Sequence, residues 1–458
     1  MGNAAAFFDL DRTLLVEASG RVLGRAMQRA GLVPNRSLPG ESLIYRSYNL
    51  LGESLPGMAL ARSAALAARG NSQEAMTAAA EDAADDLITL VAPYAPDLIA
   101  EHQRAGRTVV LATTTPYDLI EPFARRMGMD DIVATRYATK NGRYTGGLDG
   151  DFVWAAGKLR SVRKWADMHQ VELSESWAYS DSVYDLPLLM AVGHPNAVNA
   201  DPRLAAVAAL RRWPQPRLDA PPGVPKVLGV EPFDVVRTVI RPEMFPYARF
   251  DISGTEHIPK HGAAIVIANH RSYFDTFALG LAVMQGGRNP RGLAKRELFD
   301  APVIGQMARM LGLIMVDREG HGADAFAEAI KALRAGEVIA LMPQGTIPRG
   351  REFFQPELHG KTGAARMAAA THAPVIPVGI WGTERVWPRS SRLPNVTNVL
   401  RPPTIQIRIG PPVEGLEYSN AKADTKAMMA AIVDLLPPEA KQARDPSDDE
   451  LARTKPPS

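Results

Sequence analysis

The chain contains no cysteine among its 458 residues. Disulfides, thiolate metal ligands and a cysteine nucleophile are therefore excluded, and any covalent or metal chemistry must run on oxygen and nitrogen groups. A cytoplasmic home fits that composition. Excess charge is also lacking. Lys and Arg number 52 against 50 Asp and Glu, a formal charge of +2, which gives no reason to expect nucleic acid as a partner. No apolar run reaches the roughly 18 residues a spanning helix needs, so any membrane contact should lie at the surface. The opening Met1-Gly2-Asn3-Ala4-Ala5-Ala6-Phe7-Phe8 has neither the basic flank nor the long apolar core of a signal peptide.

The length exceeds one ordinary core, so two domains of about 200 residues are expected. Short apolar runs recur, each ending in polar residues. Ala5–Phe8 precedes Asp9, Val109–Ala112 precedes Thr113, and Trp177–Tyr179 precedes Ser180-Asp181. Later, Ala264–Ala268 precedes Asn269-His270, Leu313–Val316 precedes Asp317-Arg318, and Val338–Leu341 precedes Pro343-Gln344-Gly345-Thr346. Val375–Ile380 is a further run. Runs of this length read as buried strands, and the alanine-rich helical stretches between them make the chain α/β. In such sheets, ligands bind outside the carboxyl ends of the strands, where these polar residues fall.

Residues 16–104 are alanine-rich with helical periodicity and read as a helical insertion in the first domain, which spans 1–210. Proline clusters at 213–216 and 221–225 suit neither helix interiors nor central strands, so 211–232 is expected to be a linker. A second domain follows over 233–436. The polar, proline-bearing stretch 437–458 is expected to be disordered.

In the first domain, Asp9 and Asp11 lie two apart after a strand and can share a face. Two carboxylates at one point repel unless a proton or metal intervenes, and a hard ion such as Mg²⁺ resolves that. Asp181 and Asp185 stand at another strand end, Lys158 offers positive charge to a phosphate, and Thr113 a hydrogen bond. Each Asp alone is equally well a helix cap or turn residue. The ordered set, Asp9-x-Asp11-x-Thr13, Thr113, Lys158 and Asp181-x-x-x-Asp185, resembles the haloacid dehalogenase superfamily, and within it the phosphoserine-phosphatase-like branch. The resemblance spans about residues 4–205 and implies a Rossmann-like parallel sheet with 16–104 as its cap. It also implies Asp9 as nucleophile, Asp11 as acid and base, and Thr113 and Lys158 as phosphate ligands. Mg²⁺ would be held by Asp9, the Asp11 carbonyl and Asp181.

In the second domain, His270 and Asp275 are five residues apart, about 140° around a continuous helix. They can cooperate only if a turn precedes the helix. Asp275 would then orient the imidazole and leave its other nitrogen to take a proton from an alcohol. A lone His-x-x-x-x-Asp is more often a loop histidine with an unrelated carboxylate. Arg318, the Gln344-Gly345-Thr346 turn and the Val375-x-Pro377-Val378 strand change the balance. Together the four blocks resemble the glycerolipid acyltransferase family over about residues 233–418, and closely the lysophosphatidic acid acyltransferases.

That resemblance implies acyl transfer from acyl-CoA or acyl-carrier protein to a lysophospholipid at the inner face of the cell membrane. His270 would be the base and Arg318 would bind the glycerol phosphate. Gly345 and Thr346 would contact the substrate from the third block, Pro343–Pro348, which departs from the family pattern. Gln344 replaces Glu, Ile347 replaces a phosphate-binding Arg and Pro348 replaces Ser. Arg349, Arg351, Lys295 or Lys361 could supply the missing charge, or the acceptor could be another lysophospholipid or a glycolipid precursor. The first domain could correspondingly act on a lipid phosphate or be a non-catalytic module. Aromatics and methionines over Pro302–Leu313 and at Phe353-Phe354 suit an acyl tunnel or ordinary packing. Val227–Phe250, with Arg237, Arg241 and Arg249, suits an anionic membrane surface or the core equally.

Overall fold

The protein is described as a computed structural model over residues 3–33, 55–221, 224–225, 231–300, 304–316 and 322–456. Arg318 and the side chain of Lys295 lie outside the described residues. The chain forms two compact units, Met1–Pro222 and Gly223–Ser458.

The first unit is a parallel sheet with helices. Its strands are β1 (Ala5–Phe8), β2 (Thr108–Pro116) and β3 (Asp131–Thr135), then an antiparallel hairpin of β4 (Tyr137–Lys140) and β5 (Arg143–Leu148), then β6 (Trp177–Ser180) and β7 (His194–Ala197). The sheet order is β3-β2-β1-β6-β7 with every pairing parallel. β1 is central and wholly buried, which is why its four residues are all apolar. Phe7 meets Trp165 edge-on at 5.5 Å, while Phe8 stacks on Tyr179 at 4.6 Å. The register sets Phe8 beside Leu111 and Tyr179, so the next residue, Asp9, emerges at the carboxyl edge between β2 and β6. The order reverses there, and that crevice is where a parallel sheet opens for a ligand.

The second unit holds a seven-stranded sheet. Its strands are β8 (Arg249–Ser253), β9 (Ala264–Ala268), β10 (Pro290–Lys295), β11 (Ile314–Val316), β12 (Val338–Leu341), β13 (Val375–Trp381) and β14 (Thr404–Ile409). They lie in the order β11-β10-β12-β9-β13-β14-β8. All pairings are parallel except β13 with β14. Along β9, Val266 and Ala268 join the core beneath the helix Asp275–Gln285. Ile265 and Ile267 join the core of the opposite face, beneath Gly322–Arg334, Gly363–Thr371 and Ala421–Asp434. The period of two therefore divides one apolar run between two cores.

Three expected boundaries shift. The helix Ala95–Arg104 is not part of the cap. His102 from this helix reaches the Tyr179 hydroxyl on β6, 2.8 Å away, and burial beside Arg107 holds its pKa down to about 4. The β4–β5 hairpin instead joins the cap helices, with Gly70 N–H donating to the Tyr144 carbonyl and Tyr144 N–H to that of Asn71. The proline-rich stretch after Arg211 is docked on the first unit rather than spanning free. Pro214, Pro216 and Leu218 carbonyls accept from Ala197, Asn199 and Tyr94. Proline lacks a donor but keeps an acceptor, and that acceptor is used here.

The stretch after residue 437 is ordered, not disordered. It forms the helix Asp448–Arg453 under a Ser447/Glu450 capping box, and Thr454 Oγ1 accepts from Gly350 N–H at 2.8 Å. The composition is polar, but capping and one tertiary contact suffice to hold it.

Three aromatic residues of the Val227–Phe250 stretch, Phe245, Tyr247 and Phe250, go to the core. Phe245 packs edge-on against Phe277 at 4.7 Å, and Tyr247 and Phe250 pack on the core under β9. Val235, Val239 and Met244 remain exposed.

Asn269, directly after β9, clamps β13. Its amide donates to the Ile380 carbonyl and accepts from Ile380 N–H, both at 2.8 Å, and it is 1% exposed. Asn269→Ala strands both backbone groups in the core. It should cost about 2–4 kcal/mol, read as a downward shift of the second unit's calorimetric transition. An unshifted transition would show the clamp to be dispensable.

Two candidate active sites at strand ends

In the first unit, Lys158 is 1% exposed and lies on the helix Ala156–His169. Its ammonium donates to Asp9 Oδ1 at 2.8 Å and to Asp185 Oδ2 at 2.5 Å. Ser180 Oγ, at the end of β6, donates to the same Asp185 oxygen at 2.7 Å. One buried cation thus gathers carboxylates from β1 and from the turn after β6, and without it their charges could not share this space. Asp185 Oδ1 is buried with no hydrogen-bond partner.

Asp11 sits on the irregular turn Leu10–Leu14, in which Arg12 takes the left-handed conformation (φ 59°) and has its carbonyl held by Asn199 Nδ2 at 3.0 Å. Ser19 N–H donates to Asp11 Oδ1 at 2.6 Å. Burial pushes the Asp11 carboxyl up, with the Ser19 bonds and Lys158 opposing, so it keeps a proton to higher pH than an ordinary carboxyl. Asp181 is 3% exposed, and the Arg12 guanidinium lies 3.4 Å from its Oδ2. Thr113, near the end of β2, accepts from Thr115 N–H at 3.1 Å. Among the described residues no three His, Asp or Glu side chains form a metal cage. The donors expected from sequence are two carboxylates, Asp9 and Asp181, and the Asp11 carbonyl. This all-oxygen set suits a hard divalent ion that keeps several waters.

In the second unit the turn required by the His270–Asp275 spacing is present. Ser272, Tyr273 and Phe274 make it, and the helix begins at Asp275. His270 Nδ1 and Asp275 Oδ2 are 2.9 Å apart. The same oxygen accepts from Arg271 N–H at 2.5 Å and Ser272 N–H at 2.7 Å. Asp275 Oδ1 accepts from Thr383 Oγ1 at 2.5 Å. Asp275 has no exposed surface, and its charge also lies at a helix N-terminus, where backbone N–H groups favour it. With Nδ1–H donated to Asp275, the lone pair is on Nε2, which has no protein partner among the described residues. The His270 side chain is 17% exposed.

Three strands deliver this set. His270 follows β9, Gln344 follows β12 and Thr383 follows β13, the two strands flanking β9. Gln344 Oε1 accepts from His270 N–H at 2.7 Å. An amide oxygen serves there as well as a carboxylate would, which explains how Gln stands at this position. Gly345 turns the chain at φ +70°, and a Cβ there would approach the Lys361 side chain to 3.3 Å. Ile347 is buried, while Thr346 and Arg349 are exposed. Arg271 is layered between Phe353 and Trp381, its guanidinium 4.0 and 4.2 Å from the two ring centroids. Phe353 therefore packs on an arginine beside the site.

Thr383, Ser180 and Arg12 were not singled out from sequence. Thr383 carried a usable sign, since it too is a hydroxyl residue just past a buried strand. Arg12 and Ser180 lie inside motifs whose carboxylates drew attention first.

Residues 6–190 match the family model described as haloacid dehalogenase-like hydrolase, and residues 249–381 match the acyltransferase model. The chain is 32% identical to a probable phosphatase of Mycobacterium tuberculosis over 212 residues, 46% of this chain and 74% of the relative. It is 35% identical to a phosphoserine phosphatase of the same organism over 213 residues, 46% of this chain and 69% of the relative. It is also similar to the crystal structure of a 1-acyl-sn-glycerophosphate acyltransferase from Thermotoga maritima, at 22% identity and TM-score 0.33, covering 44% of this chain and 84% of that one.

Thr383→Val removes the hydroxyl that meets Asp275 Oδ1 and leaves that oxygen buried without a donor. We expect a loss of about 1–3 kcal/mol in stability. We also expect a roughly 10-fold fall in kcat of the His270-dependent reaction, because the carboxylate's hold on the imidazole loosens. Unchanged kcat would mean that Asp275 is fixed by its backbone donors alone.

Proposed function

Because the first half of the chain belongs to the haloacid dehalogenase-like hydrolases and the second half carries an acyltransferase domain, we propose that the protein is a bifunctional enzyme of phospholipid biosynthesis. The second site acylates a lysophospholipid, converting 1-acyl-sn-glycerol-3-phosphate to phosphatidic acid with acyl-CoA or acyl-carrier protein as donor. The first site hydrolyses a phosphate monoester. The observation that carries this reading is the His270–Asp275 pair, with one imidazole nitrogen held and the other left available.

At the second site, His270 Nε2 takes the proton of the acceptor hydroxyl as its oxygen attacks the thioester carbonyl carbon. The C–O bond forms, the C–S bond breaks, and the thiolate leaves with the proton returned by the imidazolium. Asp275 fixes the tautomer and offsets the imidazolium charge. No acyl-enzyme is required, which accords with a chain lacking cysteine.

At the first site, an Asp9 oxygen attacks phosphorus and displaces the alcohol, whose oxygen receives a proton from Asp11. Asp11 then takes a proton from water, which attacks the aspartyl-phosphate and frees Asp9 and phosphate. Lys158 holds Asp9 in place and, with Thr113, faces the phosphoryl oxygens. Mg²⁺, which this family generally uses, would sit on Asp9, Asp181 and the Asp11 carbonyl, and when bound it supplies charge to neutralise the phosphoryl group.

Among the described residues no helix is long and apolar enough to cross a membrane. We place membrane contact on the segment between Arg392 and Arg401, in which Leu393 is 73% and Leu400 94% exposed, with Val396 and Val399 half-exposed between them. Apolar side chains flanked by arginines suit insertion among anionic lipid head groups on the inner face of the cell membrane.

A second reading is favoured by one observation. Ile347 is buried in the acyl-transfer turn where a phosphate-binding side chain would be useful, which suits a different lysophospholipid or a glycolipid acceptor. The first site would then act on a lipid phosphate. Purified protein offered acyl-CoA and a panel of acceptors should make phosphatidic acid from lysophosphatidic acid. His270→Ala should lower that transfer by about 10²–10⁴-fold. Transfer to other acceptors but not to this one would favour the second reading. Phosphate release from phosphoserine, lysophosphatidic acid and phosphatidic acid, abolished by Asp9→Asn, identifies the first substrate, and release from phosphoserine alone would sink a lipid-phosphate role. Leu393→Ser with Leu400→Ser should abolish sedimentation with anionic vesicles, and undiminished sedimentation would move the membrane face elsewhere.

A further inference from the structure

Arg389 lies in the loop after β13 and is only 6% exposed. Its guanidinium donates to the backbone carbonyls of Ile347 and Pro348 and to the Tyr273 hydroxyl. Its Nε is buried and has no partner. Among the described residues no carboxylate forms an ion pair with it. The charged neighbour it does have is another cation, Arg349, which is exposed and likewise has no ion pair among the described residues.

A buried guanidinium satisfied only by neutral acceptors keeps its full charge, and a second guanidinium adds repulsion. An arrangement of this kind is costly when empty and is relieved by a bound anion. Its place says which anion. Tyr273 is three residues from His270. Ser272 Oγ donates to the Trp387 carbonyl at 2.6 Å, and Thr383 of the same loop holds Asp275. Arg389 is therefore tied to the His270 turn on one side and to the Gly345–Arg349 turn on the other.

We propose that Arg389, with Arg349, is the anion subsite beside His270 and binds the phosphate of the acceptor lipid. This deepens the acyl-transfer reading and rests on it. Arg389 brings a full positive charge and an unpartnered Nε–H to one phosphate, and Arg349, from the rim, neutralises its second charge. The buried Ile347 side chain contributes no charge, but the Ile347 carbonyl positions the arginine that does.

The test has a binding arm and a kinetic arm. In the binding arm the full chain, carrying Asp9→Asn so that the first site does not consume the probe, is titrated calorimetrically with glycerol 3-phosphate. Arg389→Gln and Arg349→Gln should each weaken binding by about 10-fold or more. Arg349 is exposed, so its variant cannot fail merely by unfolding, and Arg389→Lys should recover part of the loss. In the kinetic arm the same variants should raise KM for lysophosphatidic acid by a similar factor with kcat within a few-fold, leaving transfer to an uncharged monoacylglycerol unaltered.

Equal losses on charged and uncharged acceptors would reduce Arg389 to a prop for the loop. A KM effect seen with acyl-CoA but not with acyl-pantetheine would assign the subsite to the donor's phosphates. Either result overturns the proposal. If the unmodified chain transfers no acyl group to any acceptor, the acyl-transfer reading fails by itself. The titration then still decides the subsite, and unchanged affinity in both variants removes it.

Discussion

A carboxylate with no exposed surface must be met by donors on every side, and Asp275 is met by four. Two are backbone N–H groups of the turn that its own side chain closes. One is the imidazole it orients, and one is a hydroxyl from the neighbouring strand's end. Each donor fixes a different part of the molecule. The N–H groups fix the turn from β9 into the helix Asp275–Gln285, and Thr383 fixes that turn against the exit of β13. Asn269 repeats the connection one step back, holding Ile380 by both backbone groups. The site's geometry and the alignment of the two central strands are therefore one set of hydrogen bonds. The first unit solves the same problem with opposite polarity, placing one buried ammonium between two carboxylates.

The central strands were legible because they are buried on both faces and so appear as unbroken apolar runs. β1, β2, β6, β9, β12 and β13 all fall on such runs, and the catalytic candidates follow them directly. The edge strand β11 also falls on such a run, Leu313–Val316, but β14 and β10 do not. β14, Thr404–Ile409, alternates buried and half-exposed residues, while β10, Pro290–Lys295, carries Arg291 and Gly292 where a run would need apolar side chains. The His270–Asp275 relation was legible as a requirement for a turn, since five residues cannot share a helix face. Of its partners, Gln344 stands in the third block, but its bond to the His270 N–H spans 74 residues and spacing carries no trace of it, while Thr383, 108 residues from Asp275, lies outside every block. The tail is ordered against its composition, because polarity measures how little a segment can bury, not whether a capping box and a few contacts suffice to order it.

The departures in the turn after β12 make sense together. Gln344 places an acceptor under the His270 N–H without adding a second negative charge beside Asp275. Ile347 lends its side chain to the core and its carbonyl to Arg389. The turn thus keeps its shape through the Gln344 amide and Gly345 at φ +70°, and its positive charge comes from Arg349 at its end and Arg389 outside it.

The bond between Gly350 N–H and Thr454 Oγ1 joins residues 104 positions apart. Around it, Arg444 pairs with Glu450 and lies over the Phe354 ring. Chains are made from the amino end, and folding follows synthesis unit by unit. β12 and its turn therefore leave the ribosome long before the segment that seats residues 349–354. During that interval the rim of the acyl-transfer site has no counterpart to rest on. Completion of that rim is timed by translation, as one of the last steps in making this part of the chain.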